Sequence, residues 1–394
     1  FQTALLRQKL DDEFPEIIQD MIRILWPHYL RPVPASSTVV FKPKATMKQP
    51  AAIPAGTVLA SAPVEGTACQ FRTCFDVEIS PLALLDAAFE QPAGRPPQIR
   101  LILELNGMRL SDWTIRSLRF FLADHYGAAS DLYYLLLRHL RQIVLKPQEP
   151  GGETVFAASC LRDAGFSDQA ALFAYPPHSF PGYRILQEYF SAPDKFLYLD
   201  LTGWENWRNR GCGSRFEICF QLNDLPVRPP HVTRNSFALF ATPVVNIFQA
   251  DADPISLDHR RAWYFVRPAG YTADSCQIYT IDKVSGYVQS QAAEKLYQPF
   301  DHFNPDVQNT PVYYMSYRPS LLKPGPDAYL AVAYPASTGE TGPAPETLTV
   351  TLSCTNGFLP RNLRVGDICI PGRACPEYVT FSNIKPLTAA VMPP

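Results

Sequence analysis

Between Ile99 and Leu105 apolar and polar residues alternate, which is the period of a strand with one face buried. Short β-branched or aromatic runs of the same kind recur along the chain, punctuated by proline, glycine and serine. They predict strands at 37–41, 69–73, 75–79, 99–105 and 118–122. A second series is predicted at 196–201, 215–222, 237–248, 262–267, 276–281, 311–317, 328–333 and 347–352. Ile53-Pro54-Ala55-Gly56-Thr57 reads as a turn entering a strand, with Gly56 free to take the tight geometry.

Three segments carry the helical period instead. In residues 1–30, Leu5, Leu6 and Leu10 are followed by Ile17, Ile18, Met21, Ile22, Ile24 and Leu25 on a wide apolar face. Pro15 and the acidic residues Asp11, Asp12, Glu13 and Glu16 suit the positive end of a helix, and Pro27, Pro32 and Pro34 stop it. Ser130 and Asp131 open a second helix, with a stripe of Leu132, Leu135, Leu136, Leu140 and Ile143 that ends at Pro147. A third spans Tyr183 to Phe190, with Tyr183, Leu186, Tyr189 and Phe190 on one side and Pro193 beyond its end. Strands dominate, so the class is α+β: multi-domain, β-rich, with an N-terminal helical segment and a few inserted helices. The expected division is a helical segment at 1–34, a β-rich domain with one inserted helix at 35–160, and a second β-rich region at 161–394. The chain opens at Phe1 inside helical pattern and so reads as a piece of a longer polypeptide.

Composition adjusts this picture. There are 39 prolines in 394 residues, about twice the usual ~5% share. Proline removes a backbone donor and is kept out of central strands, so the number fits short strands joined by many irregular loops. Charged residues make up 18%, below the usual ~25%, and suggest surface covered by other chains. The net charge is −2 and no long Lys/Arg block exists, which argues against a nucleic-acid face. Nine cysteines form no C-x-x-C pair and no zinc spacing; Cys69 and Cys74, and Cys369 and Cys375, are near in sequence. Buried free thiols in a reducing, cytoplasmic compartment are the expectation. The longest apolar stretch, 237–248, is interrupted by Thr242, Pro243 and Asn246, so no membrane span is expected.

Catalytic motifs are sought without success: no P-loop, dinucleotide fingerprint, nucleophile elbow or zincin pattern occurs. Gly211-Cys212-Gly213-Ser214 reads as a turn. Asp251 and Asp253 lack the remaining ligands of a calcium loop. Asp258-His259-Arg260-Arg261 reads as local ion pairing or an interface anchor, which makes Arg260 and Arg261 interface candidates. His28 and His178 read as structural or surface residues. Glu104, Asp200 and Glu217 lie in strands, and could act as glycosidase carboxylates only if the fold joined them. Trp204, Trp207, Tyr313 and Tyr314 could make a sugar platform, so the rival reading is a β-rich carbohydrate-binding or glycoside-processing protein. The 24 Phe and 19 Tyr residues fill cores for the most part, with a minority anchoring interfaces. No catalytic residue, metal ligand or cofactor is assigned.

The stretch from Phe180 through Gly182-Tyr183-Arg184-Ile185-Leu186-Gln187-Glu188-Tyr189-Phe190 to Tyr198 resembles a signature of the TssF family of type VI secretion systems. Asn235 to Phe248, then Asp253-Pro254-Ile255 through Arg261, and Ile278-Tyr279 to Gly286-Tyr287, follow in the family's order. Leu10 to Pro15 and Tyr29 to Pro34 are similar as well. A weaker echo, at Ile53 to Thr57, Phe71 to Thr73 and Val77 to Ile79, resembles baseplate J and related wedge proteins of contractile phages.

The resemblance implies a non-enzymatic structural subunit. TssF proteins are expected to form wedges with TssG, a second TssF copy, TssK and TssE around the VgrG hub, linking wedges and supporting sheath assembly and contraction at the cytoplasmic face of the inner membrane. The family's C-terminal region has no evident counterpart here. The interface candidates are Ile17, Ile18, Met21, Ile22 and Leu25 on the first helix, with Trp204, Trp207, Arg260 and Arg261 further along.

Overall fold

In the computed structural model, the described residues are Ile18, Met21, Ile22 and 26–392, except 149–150, 177–178, 224–230, 273, 289–293, 301–309, 321–325, 335–343 and 373–374. Among them β-structure dominates. Four larger sheets and one two-stranded ribbon account for the strands.

The first sheet has six strands, in the order Ile368–Pro371, Val58–Val64, Thr67–Thr73, Ala241–Val245, Ser36–Pro43 and Val379–Asn383. Ser36–Pro43 is buried over its first six residues because it lies centrally, with Ser36 paired to Val245 on one side and Val39 to Asn383 on the other. The second has five: Thr154–Ala157, Leu140–Pro147, Arg215–Leu222, Gln98–Leu105 and Leu82–Glu90. The alternation of 99–105 is realised there, with Ile99, Leu101, Leu103 and Leu105 all inward. The third has four: Leu161–Asp163, Tyr198–Leu201, Leu118–Leu122 and Phe237–Leu239. Ala51–Ile53 and Val77–Ile79 form the ribbon, and Gly56 takes φ +87° in the turn after it.

The eight-stranded sheet is built from residues 248–355, with Glu346–Thr355 paired along most of Gln277–Val288. Most buried apolar side chains of 248–354 pack into a core of their own. The first three sheets share the other core, which takes in residues on both sides of position 160 and the returning strands after 359. The change from one core to the other falls at Phe248 and again after Thr355, with Tyr279 of the eight-stranded sheet packed into the first core. The second unit is an insertion in the first.

Two α-helices occur among the described residues: α1, Tyr126–Arg138, and α2, Pro181–Ser191. The helix read at 130–143 begins four residues earlier and ends at Arg138. Ala129, Leu132, Leu135 and Leu136 form its buried face. Leu140 and Ile143, assigned to that stripe, belong instead to the strand Leu140–Pro147, where Ile143 pairs with Phe220 and Phe156. Its β-branched Ile143-Val144 pair suits the pleated centre of a sheet better than a helix end. The helical segment read at 1–34 falls largely outside the described residues, Ile17 and Leu25 with it. Ile18, Met21 and Ile22 have helical backbone, and Trp26 N donates to Ile22 O at 2.7 Å.

The apolar run at 237–248, read as one strand, is three. Phe237–Leu239 joins the third sheet, Ala241–Val245 the first and Phe248–Asp251 the eight-stranded one. Phe240 makes the first corner with φ +55°, a left-handed conformation that a bulky residue holds only when its surroundings fix it. Asn246, fully buried, makes the second corner.

Candidate interface site

Pro181 at the first position starts α2, its fixed φ suiting a helix N-terminus, and Pro193 lies just beyond the end. The sequence pattern groups Tyr183, Leu186, Tyr189 and Phe190 on one side of this helix, and the fold turns that side outward. Its two buried residues are Arg184 and Glu188. Its apolar side faces solvent: Phe190 is 82% exposed, Leu186 55%, Tyr183 54% and Tyr189 45%, with Phe180 at the cap 67% exposed.

The inward face is an ionic cluster. Glu188 Oε1 accepts the backbone N–H groups of Leu172 (2.8 Å) and Phe173 (3.4 Å), and Oε2 accepts a short bond from the buried Lys195 ammonium. Arg184 Nη2 donates to Asp168 Oδ1 at 2.7 Å, and its Nη1 lies 3.9 Å from Glu188 Oε1. Burial pulls the Lys195 ammonium below its ordinary value, and the Glu188 carboxylate opposes this. Glu188 thus offsets Lys195 beneath the helix, while Arg184 reaches from its buried position to the solvent-exposed Asp168 carboxylate, so each buried cation has an anionic partner. Sideways, Tyr189 lies 5.9 Å from Phe196, which stacks on Phe166 at 4.7 Å.

The start of α2 also meets the incoming chain. His28 Nε2 is 3.2 Å from Ser179 Oγ, its ring stacks on Tyr175 at 4.3 Å, and Arg31 Nη1 donates to Ala174 O at 3.0 Å. Ile18, Met21, Trp26 and Tyr29 are exposed on that segment.

The remaining candidates are dispersed. Trp204 and Trp207 are fully buried, which removes them as interface anchors. They pack with Trp113 and Phe216, Trp204 Nε1 donating to Leu201 O at 2.8 Å. Tyr313 is buried in the other core, so no platform joins these aromatics. Arg260 and Arg261 are exposed beside a turn in which Asp258 Oδ1 accepts from Arg260 N (3.1 Å) and Tyr264 Oη (2.8 Å), bonds that hold its carboxyl below the usual range. His259 there takes φ +58°.

Glu104, Glu217 and Asp200 are each held by an arginine: Arg215 at 2.7 Å, Arg100 at 3.3 Å and Arg119 at 2.7 Å. Asp200 lies in a different sheet from the other two. Gly213 and Ser214 use their carbonyls to accept from Leu110 and Leu105 in the turn before a strand. His178 lies outside the described residues. Among the described residues no group of three or more His, Cys, Asp or Glu side chains could hold a metal, and no helix is long and apolar enough to cross a membrane.

Sequence reasoning singled out the α2 signature and grouped its apolar residues on one side, without assigning that side to core or solvent. It missed the Arg184–Glu188–Lys195 cluster altogether, although Arg184 and Glu188 at i and i+4 in an otherwise uncharged helix were a visible signal.

This arrangement of sheets occurs in a known secretion machine. A chain in the cryo-electron microscopy structure of the TssK-TssF-TssG baseplate subcomplex of the type VI secretion system is similar over 100% of this chain and 73% of its own length, with TM-score 0.83 and 25% identity. The family model described as type VI secretion system, TssF, matches residues 1–394, and the chain belongs to that family. The type VI secretion system component TssF1 of Pseudomonas aeruginosa is 28% identical over 325 residues, covering 76% of this chain and 51% of the relative. The chain thus spans about half the length of that curated relative.

Proposed function

We propose that this chain is a structural, non-enzymatic subunit of a type VI secretion baseplate. In this reading it builds wedges with TssG, TssK, TssE and a second TssF copy around the VgrG hub, at the cytoplasmic face of the inner membrane. It links neighbouring wedges and supports sheath assembly and contraction. The observation that carries the reading is α2, which turns aromatic side chains to solvent and sinks its charges. A monomer gains nothing from that, because exposed apolar area costs stability unless a partner covers it. The likeness to a chain of the TssK-TssF-TssG subcomplex supports TssG and TssK as partners. TssE, VgrG and the membrane face rest on family resemblance.

The test is recovery of the tagged chain from its own bacterium, with partners identified by mass spectrometry. TssG- and TssK-type proteins are expected in fixed ratio. A solitary monomer that turns over a small substrate would end the reading. The exposed start of the chain is a second contact in this scheme. Ile18→Asp with Ile22→Asp should abolish co-purification with the TssG counterpart, and normal recovery of that partner would remove these residues from the interface.

A further inference from the structure

The identity of what covers α2 can be argued from the chemistry of its outward face. Tyr183, Leu186 and Phe190 stand at i, i+3 and i+7, with Tyr189 and Phe180 beside them. That spacing is the anchor pattern of a helix engaged along its length. Every formal charge on α2 lies on its inner side, since Arg184 and Glu188 are both buried. The outward face therefore offers no ion to steer or hold a charged ligand. A nucleic acid or an anionic membrane surface would need basic residues here, and α2 presents none to solvent.

An added strand is excluded on different grounds. The N–H and C=O groups along α2 are spent on its own turns, so no open edge exists for main-chain pairing. What remains is side-chain packing. With about 150–250 Å² available per aromatic residue, the exposures of these five side chains leave roughly 600 Å² uncovered. A stable interface buries about 800 Å² per partner, so this face can supply most of one side.

Resting on the baseplate reading above, we propose that α2 receives an amphipathic α-helix of another subunit, whose uncharged apolar seam packs along Tyr183, Leu186 and Phe190. Ridges of the two helices interlock, with the partner helix contributing aliphatic side chains at three- and four-residue spacing. Contact of this kind is driven by apolar burial and is insensitive to salt.

The experiment uses the full-length chain assembled with its TssG and TssK counterparts, with p-benzoylphenylalanine in place of Phe190. The expected result is a photo-adduct to a partner segment of helical apolar spacing. In parallel, Leu186→Glu with Phe190→Glu should weaken that partner's binding by at least about tenfold, equally at roughly 0.1 and 0.5 M salt. Because both positions are exposed, the doubly substituted chain should keep its melting temperature, which separates lost docking from lost folding. An adduct on an extended segment or within the same polypeptide overturns the proposal. So does recovery on anionic phospholipid vesicles in place of a protein adduct, and so does an intact complex with no adduct. Failure of the unmodified chain to form any complex would instead bring down the baseplate reading, and this proposal with it.

Discussion

At Glu188 a carboxylate with no solvent contact holds two backbone amides and the Lys195 ammonium. Removing it strands a buried cation beside unsatisfied amides. Glu188→Ala is therefore expected to destabilise the fold by about 3–5 kcal/mol, whereas Phe190→Ala should change stability by less than about 0.5 kcal/mol. Chemical denaturation of the two variants checks the contrast, and equal effects would contradict the outward placement of the apolar side of α2. The cysteines give a second test at this scale. Cys212 and Cys369 are exposed, while burial pushes the thiols of Cys69 and Cys219 up to about 11 and that of Cys74 up to about 12. An alkylating agent reacts with thiolate, and a raised pKa keeps these buried groups protonated through neutral and mildly alkaline pH. Iodoacetamide at mildly alkaline pH should label Cys212 and Cys369 first, and the three buried residues only on unfolding, as read by peptide mass spectrometry.

Between elements, the run 237–248 is the thread that ties the sheets together, and its second corner is locked by two asparagines. Asn246 Nδ2 donates to Gln70 O (2.7 Å) and Asn356 Oδ1 (2.8 Å), and Asn246 Oδ1 accepts from Asn356 N at 2.7 Å. Asn356 Nδ2 donates in turn to Ser275 O at 2.9 Å, and its Oδ1 accepts from Gln70 N at 3.0 Å. These two residues stand where the chain enters the second core and where it leaves, so one buried network closes both crossings. Asn356→Ala leaves several of these groups unpaired, at about 1–3 kcal/mol each. It should uncouple the two units, and calorimetry is expected to show two unfolding transitions in place of one. A single unshifted transition would mean that the coupling lies elsewhere.

For the whole molecule, the sequence by itself determined that the chain is β-rich, where most strands fall, that α2 exists, and which family it belongs to. Alternation at 99–105, Pro181 and Pro193 around α2, and the Gly56 turn are local effects of backbone sterics and side-chain period, so they can be read residue by residue. What only the tertiary structure decided is which side of α2 is inside. An amphipathic helix has the same period whichever face is buried, and the choice for α2 was made by Asp168, Lys195 and the amides of Leu172 and Phe173, supplied by other segments. The fate of Trp204 and Trp207, the split of 237–248 among three sheets and the insertion of 248–355 were settled in the same way. Burial and sheet partnership depend on contacts between residues distant in sequence, and a linear pattern does not contain them.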